Sequence, residues 1–331
     1  MRVLITGGLG FIGSNFINYW LSKYPDDEIV NVDKVTYAAN FKNILNPENK
    51  RYRFVKADIN EEDIIDNIIA QSDLVINFAA ESHVDTSISS PAPFLRSNYL
   101  GVFKLLELTR KHDKRFHQIS TDEVYGSLGL NSADRFNEAS RYSPRNPYAA
   151  TKAAADLLIQ AYYNTYGLPV TTSNCSNNFG PNQHPEKLIP KSIMNALNNQ
   201  SIPLYGDGQQ VRDWIFVEDH CAAIDLIVAK GKIGKTYLIS AGNERRNIDV
   251  VKEILSILGR AQKLMLLVRD RPGHDVRYAL QPSQLLIEMG WKPKYTFEEA
   301  LRATVTHYVH NLSKYQYYHD TEPAKPLTGD K

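Results

Sequence analysis

The sequence predicts a doubly wound α/β fold, a parallel sheet covered by helices on both faces, followed by a smaller C-terminal α/β lobe. Three observations predict it. A short apolar run, Arg2–Thr6, passes straight into a glycine loop and then an amphipathic stretch. Strand-like and helix-like segments alternate from there to Cys175, the pattern of β–α–β units with parallel strands. Beyond Pro181 the strict alternation stops and short strands mix with helices. Residues 1–180 are assigned to a Rossmann-type domain, with some later segments returning to it, and 181–312 mainly to the second lobe. Residues 313–331, rich in Pro, Lys, Thr and Asp, read as a flexible tail.

Composition narrows the class of function. Thirty-eight Lys and Arg against 37 Asp and Glu leave a net charge of +1, so nothing argues for a nucleic-acid partner. Cys175 and Cys221 are far apart and form no Cys-x-x-Cys pair, as expected of buried thiols in a reducing compartment. The sequence starts without a basic-then-apolar leader, and no apolar run approaches the ~20 residues of a membrane span. A cytoplasmic enzyme without membrane or metal is the expectation.

The elements follow in order. After Arg2–Thr6 come Gly7, Gly10 and Gly13 in a G-x-x-G-x-x-G spacing, then apolar positions at Phe16, Ile17, Tyr19, Trp20 and Leu21. Strand, glycine loop and helix together form the context of a dinucleotide fingerprint. Gly7 permits the tight turn, Gly10 lets backbone approach a pyrophosphate, and Gly13 lets the helix pack closely. The strand Glu28–Asp33 ends in an acid placed to meet ribose hydroxyls. That charge repels a 2′-phosphate, so NAD is favoured over NADP even with Lys34 adjacent. Tyr52–Asp58 is a strand whose last carboxylate can face the adenine, and 63–70 is helical. The buried strand Asp73–Ala80 ends in the small residues Ala79 and Ala80, which leave room for a cofactor.

Glu81–Asp85 is polar and reads as loop; His83 within it is a candidate substrate contact. Residues 91–112 form one long helix and 149–166 another, each apolar over more surface than one sheet can cover. A homodimer packed through these two helices is therefore expected. Val170–Cys175 continues the sheet and Ser176–Pro181 reads as loop. Then come a helix over 187–198, short strands over 203–205 and 212–216, and helices near 218–229, 248–258 and 298–311. Lys187, Arg212, Asn247, Arg271 and His274 fall on the loops of this lobe, a cationic and polar set suited to a phosphate-bearing substrate.

The chemistry concentrates in His117–Gly126 and Tyr148–Lys152. A phenol and an amine four residues apart lie one turn apart on one helix face. Free tyrosine titrates near ~10, and a neighbouring ammonium favours its phenolate, so Tyr148 with Lys152 can take a proton from an alcohol as hydride leaves. Thr121 can hydrogen-bond the same oxygen. Hydride transfer does not use the carboxylates of Asp122 and Glu123. A base can remove a proton next to a ketone, and an acid can help a hydroxyl leave as water. Oxidation followed by elimination accounts for both.

At these residues the chain resembles the dTDP-glucose 4,6-dehydratases, a family of extended short-chain dehydrogenases/reductases. The resemblance runs from Met1 to about His310. It is carried by Thr121–Gly126, Asp33–Asn40, Phe78–Asp85, Cys175–Asn178 with Pro185–Pro190, Val211–Trp214 and Asp270–Asp275. It implies bound NAD and a nucleotide-diphosphate sugar, with dTDP-glucose losing water to become a 4-keto-6-deoxy sugar. Tyr148, Lys152 and Thr121 would then act at the C4 hydroxyl, Glu123 at the C5 proton and Asp122 at the departing C6 hydroxyl. Phe11, Ile12, Lys34, Thr36, Asp58, Ile59 and Ser82 would join the cofactor contacts. Ser82, Asn177, Glu186, Lys187, Leu188, Pro203, Tyr205, Arg212, Asn247, Arg271 and His274 would hold the nucleotide sugar. Thr86 and Asn174 depart from the family, where Arg is usual, and Val102 stands where Thr is common. The same dehydration of UDP- or CDP-glucose, a nucleotide-sugar 4-epimerase, and a non-catalytic NAD sensor remain as alternatives. The acid pair argues against the epimerase, and the intact Tyr148/Lys152 pair against the sensor.

Overall fold

The alternating segments build the strands β1 (Arg2–Thr6), β2 (Glu28–Asp33), β3 (Tyr52–Lys56), β4 (Leu74–Asn77), β5 (Arg115–Thr121) and β6 (Val170–Cys175). Four more follow in the second half: β7 (Asn177–Phe179), β8 (Ile202–Tyr205), β9 (Val211–Phe216) and β10 (Thr236–Ile239). The computed structural model describes residues 1–315. Within it, seven strands pair in the order β10-β6-β5-β4-β1-β2-β3, every neighbouring pair parallel. The order reverses between β1 and β4, so a crevice opens at the carboxyl ends of these two strands.

Both faces of the sheet are buried, and alternate residues of each strand serve opposite sides. Val3 and Ile5 of β1 pack with Leu74 and Ile76 of β4 against α1 (Phe11–Lys23). Leu4 and Val75 point the other way, into a cluster with Ile65 and Ile69 of α2 (Glu62–Ala70). The helices α3 (Val84–Ser89), α4 (Ala92–Phe94) and α5 (Gly101–Lys111) follow β4, and α6 (Pro147–Tyr166) follows β5. Leu105, Leu106, Ala155 and Ile159 of α5 and α6 complete the second cluster.

The remaining helices are α7 (Leu188–Leu197), α8 (Val217–Lys230), α9 (Asn247–Ile257), α10 (Gln284–Glu288), α11 (Phe297–His310) and α12 (Leu312–Tyr315). α8 returns to the first sheet, where Cys221, Ile224 and Val228 pack beside α1. A separate core joins α7, α9 and α11 through Ile193, Ile254 and Leu301. There β11 (Glu244–Arg246) pairs with β9, β9 with β7, and β12 (Met265–Val268) with β8.

Several local expectations need correction. The polar stretch after Ala80 does not stay loop, because Val84 buries and opens α3 with His83 at its N-cap. Within Ser176–Pro181, Asn177–Phe179 is a strand, paired with β9 far along the sequence. The helix over 91–112 contains a π-helical stretch, Leu95–Leu100, where Asn98 is buried. β10, β11 and β12 are unforeseen, being only three or four residues long and defined by distant partners. Residues 313–315 end a helix and do not begin a tail: Tyr315 is buried and its hydroxyl meets His307 Nε2 at 2.9 Å. The rest of the expected tail, 316–331, lies outside the described residues.

Candidate active site

One cleft runs along the carboxyl ends of the strands. Its walls include every residue expected to hold the cofactor: Gly7, Gly10, Phe11, Ile12, Gly13, Asp33, Lys34, Thr36, Asp58, Ile59, Ala79, Ala80, Ser82, Tyr148 and Lys152. Gly7 has φ +68°, and a Cβ there would stand 2.6 Å from the Ala79 nitrogen, so only glycine fits the turn. A Cβ on Gly13 would stand 2.6 Å from the Gly7 carbonyl oxygen, which keeps α1 tight against the loop. The first N–H groups of α1 precede its hydrogen-bond ladder and no side chain caps them, leaving an N-terminus suited to phosphate.

Asp33 accepts the Leu9 N–H (3.0 Å) on one carboxylate oxygen and the Val35 N–H (2.8 Å) on the other. Each oxygen retains a lone pair for a ribose hydroxyl. Lys34 turns aside to Glu81 at 3.1 Å. The bare glycine loop, the uncapped helix and the carboxylate at the end of β2 together fit a dinucleotide without a 2′-phosphate.

The end of the cleft that carries the candidate catalytic residues is assembled by two caps. β5 runs into a 3₁₀ turn, Asp122–Tyr125, whose first N–H groups are capped by Thr121: its hydroxyl accepts from the Glu123 nitrogen at 3.3 Å. Gly126, at φ +84°, ends the turn. α6 starts at Pro147 behind the N-cap Asn146, which accepts the Ala149 N–H at 2.8 Å. Tyr148 therefore sits in the first turn and Lys152 in the next. Asn146 also donates to Glu123 Oε2 at 3.3 Å, so the helix start holds Glu123 as well. Sequence reasoning missed Asn146; its signal was an Asn-Pro pair before a helical run.

Electrostatics separate the two acids. Burial, then Glu123, then Asp213 push the Asp122 carboxyl well above its ordinary value, which favours the protonated form. Asp122 Oδ2 is buried without a partner. Burial also raises Glu123, but less, because Arg271, Lys187, Asn146 and Arg212 oppose it. Both carboxyls are raised, Asp122 the further, so Asp122 is the more readily protonated of the two.

Tyr148 corrects an expectation. Its phenol is not made more acidic here; burial, then Glu123 and Cys175 raise it well above 10, and the Thr121 hydroxyl partly offsets them. Lys152 is itself lowered by burial and gives its Nζ to the Ile119 carbonyl at 2.6 Å. In a closed site low polarity and the charge of Glu123 outweigh the Thr121 hydrogen bond that favours the phenolate.

The expected substrate residues divide into two groups. Ser82, Thr121, Asn177, Glu186 and Lys187 line the cleft, whereas His83, Leu188, Pro203, Tyr205, Arg212, Asn247, Arg271 and His274 are not in its walls. Tyr205 and Arg271 are engaged by Asp85, receiving 2.8 Å and 2.9 Å hydrogen bonds from the phenol and the guanidinium. The Arg212 guanidinium lies over the Tyr278 ring at 4.4 Å and donates to the Asp275 carbonyl. His274 pairs with Asp270 at 2.6 Å, and His83 with Thr86 at 2.7 Å. Lys187 reaches the Ser82 carbonyl at 2.9 Å. Leu188 opens α7, Pro203 lies in β8, and Asn247 opens α9 with a buried, unpartnered side-chain oxygen. Arg271 Nε is likewise buried without a partner.

Comparisons with known proteins agree with this geometry. Residues 4–304 match the family described as GDP-mannose 4,6 dehydratase. A dTDP-glucose 4,6-dehydratase of Mycobacterium tuberculosis is 46% identical over 326 residues, 98% of each chain. Two solved dTDP-glucose 4,6-dehydratases superpose closely, both with NAD bound. That of Bacillus anthracis has a TM-score of 0.89 at 44% identity, covering 96% of this chain and 99% of its own. That of Streptomyces venezuelae has a TM-score of 0.92 at 41% identity, with the same coverage.

Proposed function

The chain belongs to the dTDP-glucose 4,6-dehydratase family, and from that premise we propose how its own residues carry out the reaction. It is an NAD-dependent nucleotide-sugar dehydratase, converting dTDP-glucose to dTDP-4-keto-6-deoxyglucose and water. NAD, when bound, supplies a hydride acceptor that is restored within each cycle. Gly7, Gly10 and Gly13 would carry its pyrophosphate, and Asp33 its adenosine ribose.

Tyr148 takes the proton of the sugar C4 hydroxyl. Thr121 hydrogen-bonds the phenol, and the positive charge of Lys152, one turn along α6, favours the phenolate. A ketone at C4 acidifies C5–H, which Glu123 removes. Asp122 delivers its proton to the C6 hydroxyl, which departs as water and leaves a C5–C6 double bond; the hydride taken from C4 is returned to C6, and C5 takes a proton back from Glu123. The single observation that carries this assignment is the split between the adjacent acids: the strongly raised, half-partnered Asp122 beside Glu123, which three cations keep closer to ionised. An epimerase has no use for that split.

Lys187, Arg212 and Arg271 are the proposed diphosphate contacts, with Asn177 and Asn247 offering unpartnered buried oxygens to the rest of the substrate. We also propose a homodimer through the helices near 91–112 and 149–166, where Leu95, Leu100, Phe103, Leu157 and Tyr166 are exposed. The cytoplasm suits the two buried free thiols, Cys175 and Cys221.

The test is mass spectrometry of products after parallel incubation with dTDP-, UDP- and CDP-glucose, without added reductant. Loss of one water from the dTDP sugar alone is expected. Water loss from UDP-glucose alone would keep the mechanism and change the substrate. Conversion of glucose to galactose at constant mass would overturn the roles of Asp122 and Glu123.

A further inference from the structure

Asp156 has no part in the chemistry above, yet it lies on the helix face that carries the catalytic pair. Tyr148, Lys152 and Asp156 are spaced four residues apart and stack on successive turns of α6. Asp156 is 5% exposed, a rare position for a carboxylate with no direct role. Its Oδ2 accepts from three side chains: the Ser120 hydroxyl of β5 (2.6 Å), the Asn174 amide of β6 (3.1 Å) and the Tyr142 phenol (3.4 Å). Its Oδ1 is buried with no partner. Asn174 also donates to the Thr121 carbonyl at 3.1 Å, so the same amide touches the catalytic strand end.

We propose that Asp156 is a positioning residue that holds Lys152 in its ammonium form, and through Lys152 sets the alkaline limit of Tyr148 as a base. This rests on the roles given to Tyr148 and Lys152 above. A lysine buried away from water discharges unless an anion faces it. For Lys152 burial is the largest influence, and Asp156 is the first of those opposing it, ahead of Cys175. Among the other groups around the pair, Glu123 is the carboxylate that acts on Tyr148, and the rest are uncharged near neutrality. Burial pushes Cys175 up to about 12 and raises the phenols of Tyr125 and Tyr142. Asp122, which faces Cys175, is held toward its protonated form. Asp156 itself is pushed up to about 6, so it is largely ionised above neutrality. The hydrogen bonds from Ser120 and Asn174 help to keep it so. Asn174, one of the positions that depart from the family pattern, acquires a defined task.

The experiment is the pH profile of kcat/KM between about pH 6 and 10 for three holoenzyme variants. Asp156→Asn keeps the shape and removes the charge, so the alkaline limb should move down by about one unit or more. Ser120→Ala removes a hydrogen bond to the same oxygen but leaves the charge, so its alkaline limb should stay in place. An Asp156→Asn profile lowered uniformly with both limbs unmoved would overturn the inference, as would an equal shift in Ser120→Ala. If Asp156→Asn does not fold, Asp156→Glu must keep the limb and Asp156→Ser must move it; the reverse sinks the idea. Tyr148→Phe separates the two levels. Wild-type turnover in that variant would remove the underlying catalytic role, whereas an inactive Tyr148→Phe beside an unshifted Asp156→Asn removes only the role of Asp156.

Discussion

At the scale of single residues, the acid pair shows how far adjacent identical chemistries can be pushed apart. Asp122 and Glu123 share a turn, but cations face Glu123 while Asp122 has a buried oxygen without a partner. Glu123→Gln should leave the C4 proton transfer and NADH formation in place. Turnover should fall by about 10²–10⁴-fold, the usual span for losing a general base. In deuterated solvent the rate of deuterium entry at C5 should fall with turnover while NADH still forms, as read by NMR and absorbance; a wild-type rate of entry would clear Glu123 of the base role. Asp122 makes a prediction about stability. Its folded pKa is raised above the unfolded value near 3.8, so its full contribution is present below that value and is lost as pH rises through the folded pKa. Asp122→Asn, neutral at every pH, should therefore raise Tm by about 1–3 °C at pH 8. The gain should shrink toward pH 4, and a pH-independent change would refute the linkage. The presence of the pair was legible in the sequence. The direction of its asymmetry was not, because Arg271 and Lys187, on loops, and Arg212, which lies in β9 and not on a loop as expected, all stand 60 or more residues away.

At the scale of elements, the two caps matter more than the lengths of the elements they begin. Asn146 does two things: its oxygen caps α6 and its amide holds Glu123. Asn146→Ala should cost about 1 kcal/mol of stability, as measured by denaturant melts, and also slow turnover. Asn146→Ser should restore most of the stability, since serine caps well, but not the turnover, since a cap hydroxyl does not replace the amide at Glu123. Equal recovery of both would make Asn146 a cap alone. Long elements with their own signals were readable. α1 follows its glycine loop, and β1, β2, β4 and β6 are apolar or β-branched runs with buried side chains on both faces. The short strands β7, β11 and β12 had no such signal, because their register is supplied by β9 and β8. α3 was misread for a related reason: its sequence is polar, and Val84 alone supplies a core contact with Phe94 and Tyr148.

At the scale of the whole molecule, the sheet supplies the cofactor side of the cleft and the second lobe supplies charge. Between them Asp85 of α3 holds Tyr205 of β8 and Arg271, and Lys187 holds the Ser82 carbonyl, so segments from both halves meet beside the cleft. This depends on side-chain pairs separated by more than 100 residues, which periodicity cannot show. The apolar excess on the two long helices was visible in the sequence, and the structure locates it. Leu157 is 61% exposed and Leu100 49%, on helices whose opposite faces are packed into the sheet. Sheet and helix cores are already filled, so these side chains gain burial only against another molecule. Each fully buried leucine is worth about 1.5–3 kcal/mol. A self-complementary patch repeated about a twofold axis counts every such contact twice. Sedimentation velocity should therefore give a dimer, and Leu157→Glu with Phe103→Glu should give a monomer that still folds, because neither side chain belongs to the core. The catalytic residues all come from one chain, so that monomer should keep NAD and measurable turnover. A wild-type monomer, or a double variant that remains dimeric, would place the contact elsewhere and leave the exposed face of α5 and α6 without its partner.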